Sequence, residues 1–274
     1  MSGASSSSPE HTAATPRPAA RLLDVIVCVR APSKGLLRRM RRLLRQCKSD
    51  TRVILVDAGG IDALLWSRLQ GLARDAGALL LLRHESTGGG PSCVELGLAH
   101  AAQRDVLLLG AELRFYAGFL KRLRAVLLED PKAGFVSPLS NRSRRARDPA
   151  WSGGVPELAG LSAKRAAKLI QGVSPRTRPE LVAPDATCML LRHEVLQALG
   201  APPDDPDNLA RYVEQARGRG FRALLADDVY VQHPDSDFDA NASASPELPL
   251  AKVLAWHARR GTAQNLRAPL ILLD

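Results

Sequence analysis

Short hydrophobic runs alternate along the chain with stretches whose apolar residues fall at helical spacing. Asp24 to Val29 reads DVIVCV, a β-branched run bounded by polar residues, which is a buried strand by length and composition. Over 34–47, Leu36, Leu37, Met40, Leu43, Leu44 and Cys47 share one helical face and arginines take the other. The alternation continues through a strand at 52–57 (RVILVD), a helix at 62–75, a strand at 78–83 (ALLLLR), a Gly-rich turn, a helix at 92–102 and a strand at 105–110 (DVLLLG). Strands alternating with helices of about 10–15 residues build βαβ units. The expected class is therefore α/β and Rossmann-like, with a mostly parallel central sheet and helices on both faces.

The second half is less regular. A helix at 116–129 leads to GFVSPL at 134–139 and then a polar stretch over 140–160. A helix at 161–171, an extended segment from Glu180 to Leu191, a short helix from near His193 and a longer one over 207–219 follow. Two strands, 221–225 and 228–232, precede an acidic, turn-rich segment, and a helix at 249–260 with an apolar tail closes the chain. The expected organisation is a disordered leader (1–21, polar and rich in Ser, Ala and Pro), one domain (22–248), and a C-terminal helix and tail (249–274). The leader lacks the apolar core of a secretion signal, and no apolar run reaches the roughly 18 residues of a membrane span. Cys28, Cys47, Cys93 and Cys188 stand far apart. That spacing argues against a zinc site or disulfide framework and suits a cytoplasmic protein.

Charge changes the picture. The net charge is +10, concentrated partly at Lys34 to Lys48 and in RSRRAR at 142–147. Such a surface favours phosphate, nucleic acid or anionic lipid, or else reflects Arg used for solubility, and an anionic membrane, in peripheral contact, is a partner it admits. Nucleic acid is not expected, because no RNA-binding strand, zinc finger or basic zipper accompanies the charge.

In open α/β sheets ligands sit beyond the carboxyl ends of the strands, and that rule selects candidates. Asp57 ends the second strand, where a carboxylate can accept hydrogen bonds from a nucleobase or ribose, or else cap the next helix. Gly89, in the turn GGGPS at 88–92, lets backbone approach phosphate. Glu112 follows the fourth strand, placed to hold Mg²⁺ or Mn²⁺ on a diphosphate, or to be an exposed loop acid. His233 closes DVYVQH as a metal ligand or a structural side chain. Asp205 and Asp207, in PPDDPDN, offer a general base or simple helix capping.

Taken in order, these segments resemble a family 2 glycosyltransferase of the GT-A fold across 24–238. RVILVDAGG is similar to the segment whose aspartate meets the nucleotide base, the place of Asp57. HESTGGGPSCVELGLAHA keeps Gly89 and Gly97 of the family's turn and helix, with Glu95 where Asn is usual. DVLLLGAELRFYAGFL resembles the acidic metal-binding segment, with Gly110 and Ala111 replacing its first polar positions and Glu112 as its remaining acid. ATCMLLRHEVLQALG and GFRALLADDVYVQHPDSDF complete the likeness. The resemblance implies inverting transfer of a sugar from a UDP-, GDP- or dTDP-sugar to a hydroxyl of a glycan, lipid-linked or protein acceptor. It also implies cell-envelope polysaccharide synthesis in the cytoplasm or at the inner face of the membrane. His233 and Glu112 would hold Mn²⁺ or Mg²⁺, and Asp207 or Asp205 would be the base. With the acidic motif reduced, Arg30, Arg83 or Arg114 near the strand ends could carry the diphosphate instead. The alternative is a catalytically degenerate relative that keeps the fold as a binding or scaffolding module.

Overall fold

The computed structural model describes residues 21–31, 34–84, 92–101, 103–141, 162–181, 184–203 and 206–233. The elements run β1 (Leu23–Val29), α1 (Leu36–Leu44), β2 (Thr51–Asp57), α2 (Ala63–Ala76), β3 (Leu79–Arg83), α3 (Cys93–Ala99), β4 (Asp105–Gly110) and β5 (Arg114–Phe115). They continue with α4 (Phe119–Glu129), β6 (Ala133–Ser140), α5 (Ala163–Val173), β7 (Cys188–Leu191), α6 (His193–Leu199), α7 (Pro206–Gly218) and β8 (Arg222–Gln232). All eight strands form one sheet in the order β3-β2-β1-β4-β7-β6-β8-β5. Strands β1 to β4, β6 and β8 run one way, and β7 and β5 run against them.

The α/β reading holds because the buried strands send alternate side chains to two cores. Val25, Val27 and Val29 of β1, Val53 and Leu55 of β2, and Leu107 and Leu109 of β4 pack beneath α1, α2 and α4. Ile26, Ile54, Val56, Val106 and Leu108 face α3, α5, α6 and α7. Leu36, Met40 and Leu43 are the buried stripe of α1. Asp62 caps α2 by accepting from Leu65 N at 2.8 Å. Gly97 lets α3 lie on β1, since a Cβ there would come within 2.6 Å of Ile26 Cγ2.

The structure corrects the second half. The extended segment at 180–191 resolves into an isolated bridge between Glu180 and Leu224 and the short strand β7. The two strands expected at 221–225 and 228–232 are one strand, β8, from Arg222 to Gln232, whose register against β6 jumps between Pro138 and Leu139. Ala226 pairs with Pro138 and Tyr230 with Leu139, so residues 227–229 bulge without breaking the strand. Asp227 and Asp228 are buried there because Arg178 Nη1 reaches Asp227 Oδ1 at 3.0 Å and also binds Asp228. The helix expected at 249–260 and the segment 234–248 lie outside the described residues.

The edge where the parallel strands start, the N-terminal rim, is closed by ion pairs. Asp24 is fully buried and bound by Arg52 at 2.7 and 3.1 Å, and Arg104 Nε lies 2.8 Å away. Arg21 bridges Asp105, at 2.8 and 2.9 Å, and Glu194. Arg124 holds Asp50 at 2.9 Å, and the buried Arg192 donates to the carbonyls of Ala133, Asp130 and Leu127.

Candidate active site

The opposite edge, the C-terminal rim, gathers most of the residues singled out above. Register fixes their order: Val29 pairs with Asp57, Asp57 with Arg83, Cys28 with Gly110, and Leu109 with Cys188. Because β7 is reversed, its start lies at this edge with the ends of β4, β6 and β8. Arg30, Asp57, Arg83, Glu112 and His233 therefore belong to a single rim. Gly89 and Asp205 lie outside the described residues, and Asp207 is the second residue of α7.

Asp57 does not cap the following helix; Asp62 does. The buried Asp57 instead closes its own turn, Oδ1 accepting from the backbone N–H groups of Gly59, Gly60 and Ile61 at 3.0, 3.0 and 3.1 Å. The turn seats on the segment after β1, where a Cβ on Gly60 would meet the Ala31 backbone at 2.8 Å. Oδ2 stays turned to Arg83, whose Nε is 3.6 Å away. The Arg83 guanidinium stacks 4.2 Å from the centre of the Trp66 ring while about half of the side chain remains exposed. The rim thus offers a fixed carboxylate oxygen beside a pre-aimed cation, with the exposed Arg30 just past the end of the neighbouring strand β1.

Glu112 is half-buried and folds back over Gly110, where an added Cβ would approach Glu112 Oε1 to 2.8 Å. Arg39 lies alongside and donates from Nε to Ala111 O at 2.6 Å. Burial pushes the Arg39 guanidinium below its ordinary value, and the charge of Glu112 opposes that push. Arg114, on β5, is exposed.

His233 is buried, and three partners fix it. Asn141 clamps its backbone, accepting from His233 N at 2.6 Å and donating to His233 O at 2.9 Å. Its ring Nε2 stands 3.4 Å from both Asp185 Oδ2 and Thr187 Oγ1. Thr187 in turn donates through N and Oγ1 to Asp185 Oδ1, at 2.9 and 2.6 Å. Burial alone would raise the Asp185 carboxyl. Hydrogen bonding and charge attraction from His233, with the Thr187 hydrogen bonds, hold it below its usual value instead. Asp185, Thr187 and Asn141 surround the candidate residue His233, and reading the sequence missed them. Asp185 sits just before β7 as one polar residue among many, and its partner is 48 positions away.

Solved structures share this architecture. The mannosyltransferase PcManGT from Pyrobaculum calidifontis, in complex with GDP-Man and Mn²⁺, superposes with a TM-score of 0.56 at 18% identity, covering 95% of this chain and 80% of that one. GalNAc-T7 with UDP, GalNAc and Mn²⁺ gives 0.56 at 13% identity over 91% of this chain, which spans 52% of that one. Staphylococcus aureus TarS 1-349 in complex with UDP-GlcNAc gives 0.50 at 19% identity, covering 91% of this chain and 68% of that one. The fold is GT-A. No family model matches the sequence, and no curated protein does either.

Two features of this GT-A chain depart from what the resemblance implies. Glu95, in the Asn position, closes a capping box at the start of α3: Ser92 Oγ accepts from Glu95 N at 3.1 Å and Glu95 Oε2 accepts from Ser92 N at 2.6 Å. Its chemistry is spent on the helix. The expected metal also finds an incomplete donor set, since no group of three or more His, Cys, Asp or Glu side chains is arranged to hold an ion among the described residues. Glu112 is within electrostatic reach of Arg39, and His233 Nε2 faces Asp185. These residues do not by themselves fit a divalent cation. A cavity of about 300 Å³ lies away from the rim, between α3 and α6, lined by Leu98, His193, Leu196 and Gln197 among others. Its acid, Glu95, is committed to the capping box of α3, so the rim remains the better site.

Proposed function

We propose that the chain is a glycosyltransferase that takes a sugar from a nucleotide-diphosphate sugar at the C-terminal rim and passes it to an acceptor hydroxyl with inversion. One observation carries this reading: Asp57 is locked by three backbone N–H groups with Oδ2 left beside the stacked Arg83. A carboxylate and a guanidinium fixed side by side match the donors and acceptors of a nucleoside, and the neighbouring strand end adds Arg30. Breaking the sugar–oxygen bond leaves charge on the diphosphate, which fixed cations stabilise well when water is excluded. With the acidic motif reduced to Glu112, the arginines Arg30, Arg83 and Arg114 carry that charge, through the fork geometry that suits phosphate. Asp207 or Asp205 accepts the proton of the acceptor hydroxyl, which attacks the anomeric carbon in a single displacement.

Titration calorimetry with UDP and GDP, with and without Mn²⁺, tests the reading. The expected result is nucleotide binding that persists without the metal and weakens about tenfold in Arg83→Ala. Absence of binding to any nucleoside diphosphate would overturn it. The commitment of Glu95 to a capping box and of Glu112 to a cationic neighbourhood favours a second reading, a GT-A chain that binds donors without turning them over. Hydrolysis assays across common nucleotide sugars separate the two: binding with no turnover selects the second.

A further inference from the structure

Helix α1 is the most one-sided element of the fold. Residues 34–48 contain seven Lys and Arg and no acid. With Leu36, Met40 and Leu43 turned into the core, Lys34, Arg38, Arg41, Arg42, Arg45 and Lys48 remain exposed. The next acid along the chain, Asp50, is held by Arg124 and Thr51 and does not neutralise them. Two exposed large hydrophobic side chains, Leu64 and Leu128, stand on α2 and α4, helices of the same layer.

Six cations on α1 and the residues flanking it, in a layer that also exposes leucines, complement the headgroups and interface of an anionic bilayer. Single-stranded nucleic acid calls for exposed aromatic rings on which bases stack. In this layer Trp66 is half-buried under Arg83, and Phe115 and Phe119 are buried. We propose that the exposed face of α1 is a peripheral docking surface for a membrane rich in anionic lipid. Docking stands on charge and shape alone and does not depend on sugar transfer. Because α1 follows β1, it begins beside the C-terminal rim, so docking would set that rim near the headgroups.

Co-sedimentation without any nucleotide tests the surface. Vesicles of mixed phosphatidylglycerol and phosphatidylcholine should pull the protein down, and phosphatidylcholine alone should not. Binding should fall at least about tenfold as salt rises from about 50 to about 500 mM. The triple variant Arg38→Ala, Arg41→Ala, Arg45→Ala, which trades exposed arginines for the best helix former, should lose at least about tenfold in partition. A second triple variant on the far layer, Lys164→Ala, Arg165→Ala, Lys168→Ala in α5, should keep wild-type partition. Equal binding to both vesicle types, no loss in the α1 variant, or an equal loss in the α5 variant would overturn the proposal. So would displacement from the vesicles by a single-stranded oligonucleotide at matched salt.

Discussion

The two ends of the sheet use the same residue types for opposite purposes. At the N-terminal rim carboxylates meet guanidinium groups directly: Asp24 with Arg52 and Arg104, Asp105 and Glu194 with Arg21, Asp50 with Arg124. Those charges are consumed within the fold. At the C-terminal rim Asp57 is held mainly by backbone N–H groups, Arg83 by an aromatic ring, and His233 by Asn141, Asp185 and Thr187. Asp57 and Arg83 are thereby fixed in place, with a carboxylate oxygen facing the cation and about half of the arginine side chain still accessible. A closed, buried ion pair contributes to stability, whereas Asp57 and Arg83, held 3.6 Å apart by a turn and a ring, are pre-organised for a ligand.

Substitutions at the two rims should therefore separate stability from binding. Asp24→Ala leaves Arg52 and Arg104 facing a buried gap, so urea unfolding should show a loss of about 3 kcal/mol, with nucleotide affinity per folded molecule unchanged. A large loss of affinity would break the contrast. Acid should act through the same rim. Hydrogen bonds from Arg21 lower Glu194. Burial pushes Asp50 up, but the hydrogen bonds of Thr51 and Arg124 more than offset it, and its net shift is downward. A folded-state value below the unfolded one adds stability that is complete above the unfolded value, about 4, and is lost as pH falls through the folded one. Tm should be level above about pH 5 and drop below about pH 4, and Arg21→Ala should flatten the drop. Arg83→Ala should behave in the opposite way to Asp24→Ala, costing about tenfold in UDP affinity while unfolding shifts by no more than about 0.5 kcal/mol. Ser92→Ala removes a cap at the start of α3 and should cost about 1 kcal/mol in the same unfolding assay, with UDP affinity unchanged.

The first half of the fold was legible because its strands are unbroken β-branched and leucine runs, and its helices carry a clear buried stripe. The strand β5 was not legible. Two residues have no periodicity, and Arg114 and Phe115 are extended because β8 pairs with them. Ala226 and Asp227 read as a break between strands, yet Arg178, about fifty positions earlier in the chain, makes the burial of Asp227 and Asp228 tolerable. At the candidate site, the strand-end rule located Asp57, Arg83, Glu112 and His233 on one rim. It could not show that Asp57 closes its own turn, that Glu112 feels the charge of Arg39, or that Asp185 lies against His233. Those facts depend on where distant backbone segments come to rest.

The bulge in β8 carries a counting rule. Before it, Leu224 and Ala226 point to the layer of α1 and α4, and Ala223 and Leu225 point to the other. Beyond it the parity is exchanged: Val229 and Val231 take the first layer and Tyr230 the second. An odd number of extra residues has turned the strand over, as a period of two requires. Adding or deleting one residue at 227–229 would thus swing Tyr230 into the wrong core and turn the His233 imidazole away from Asp185. The length of that short stretch is as tightly specified as any side chain in it.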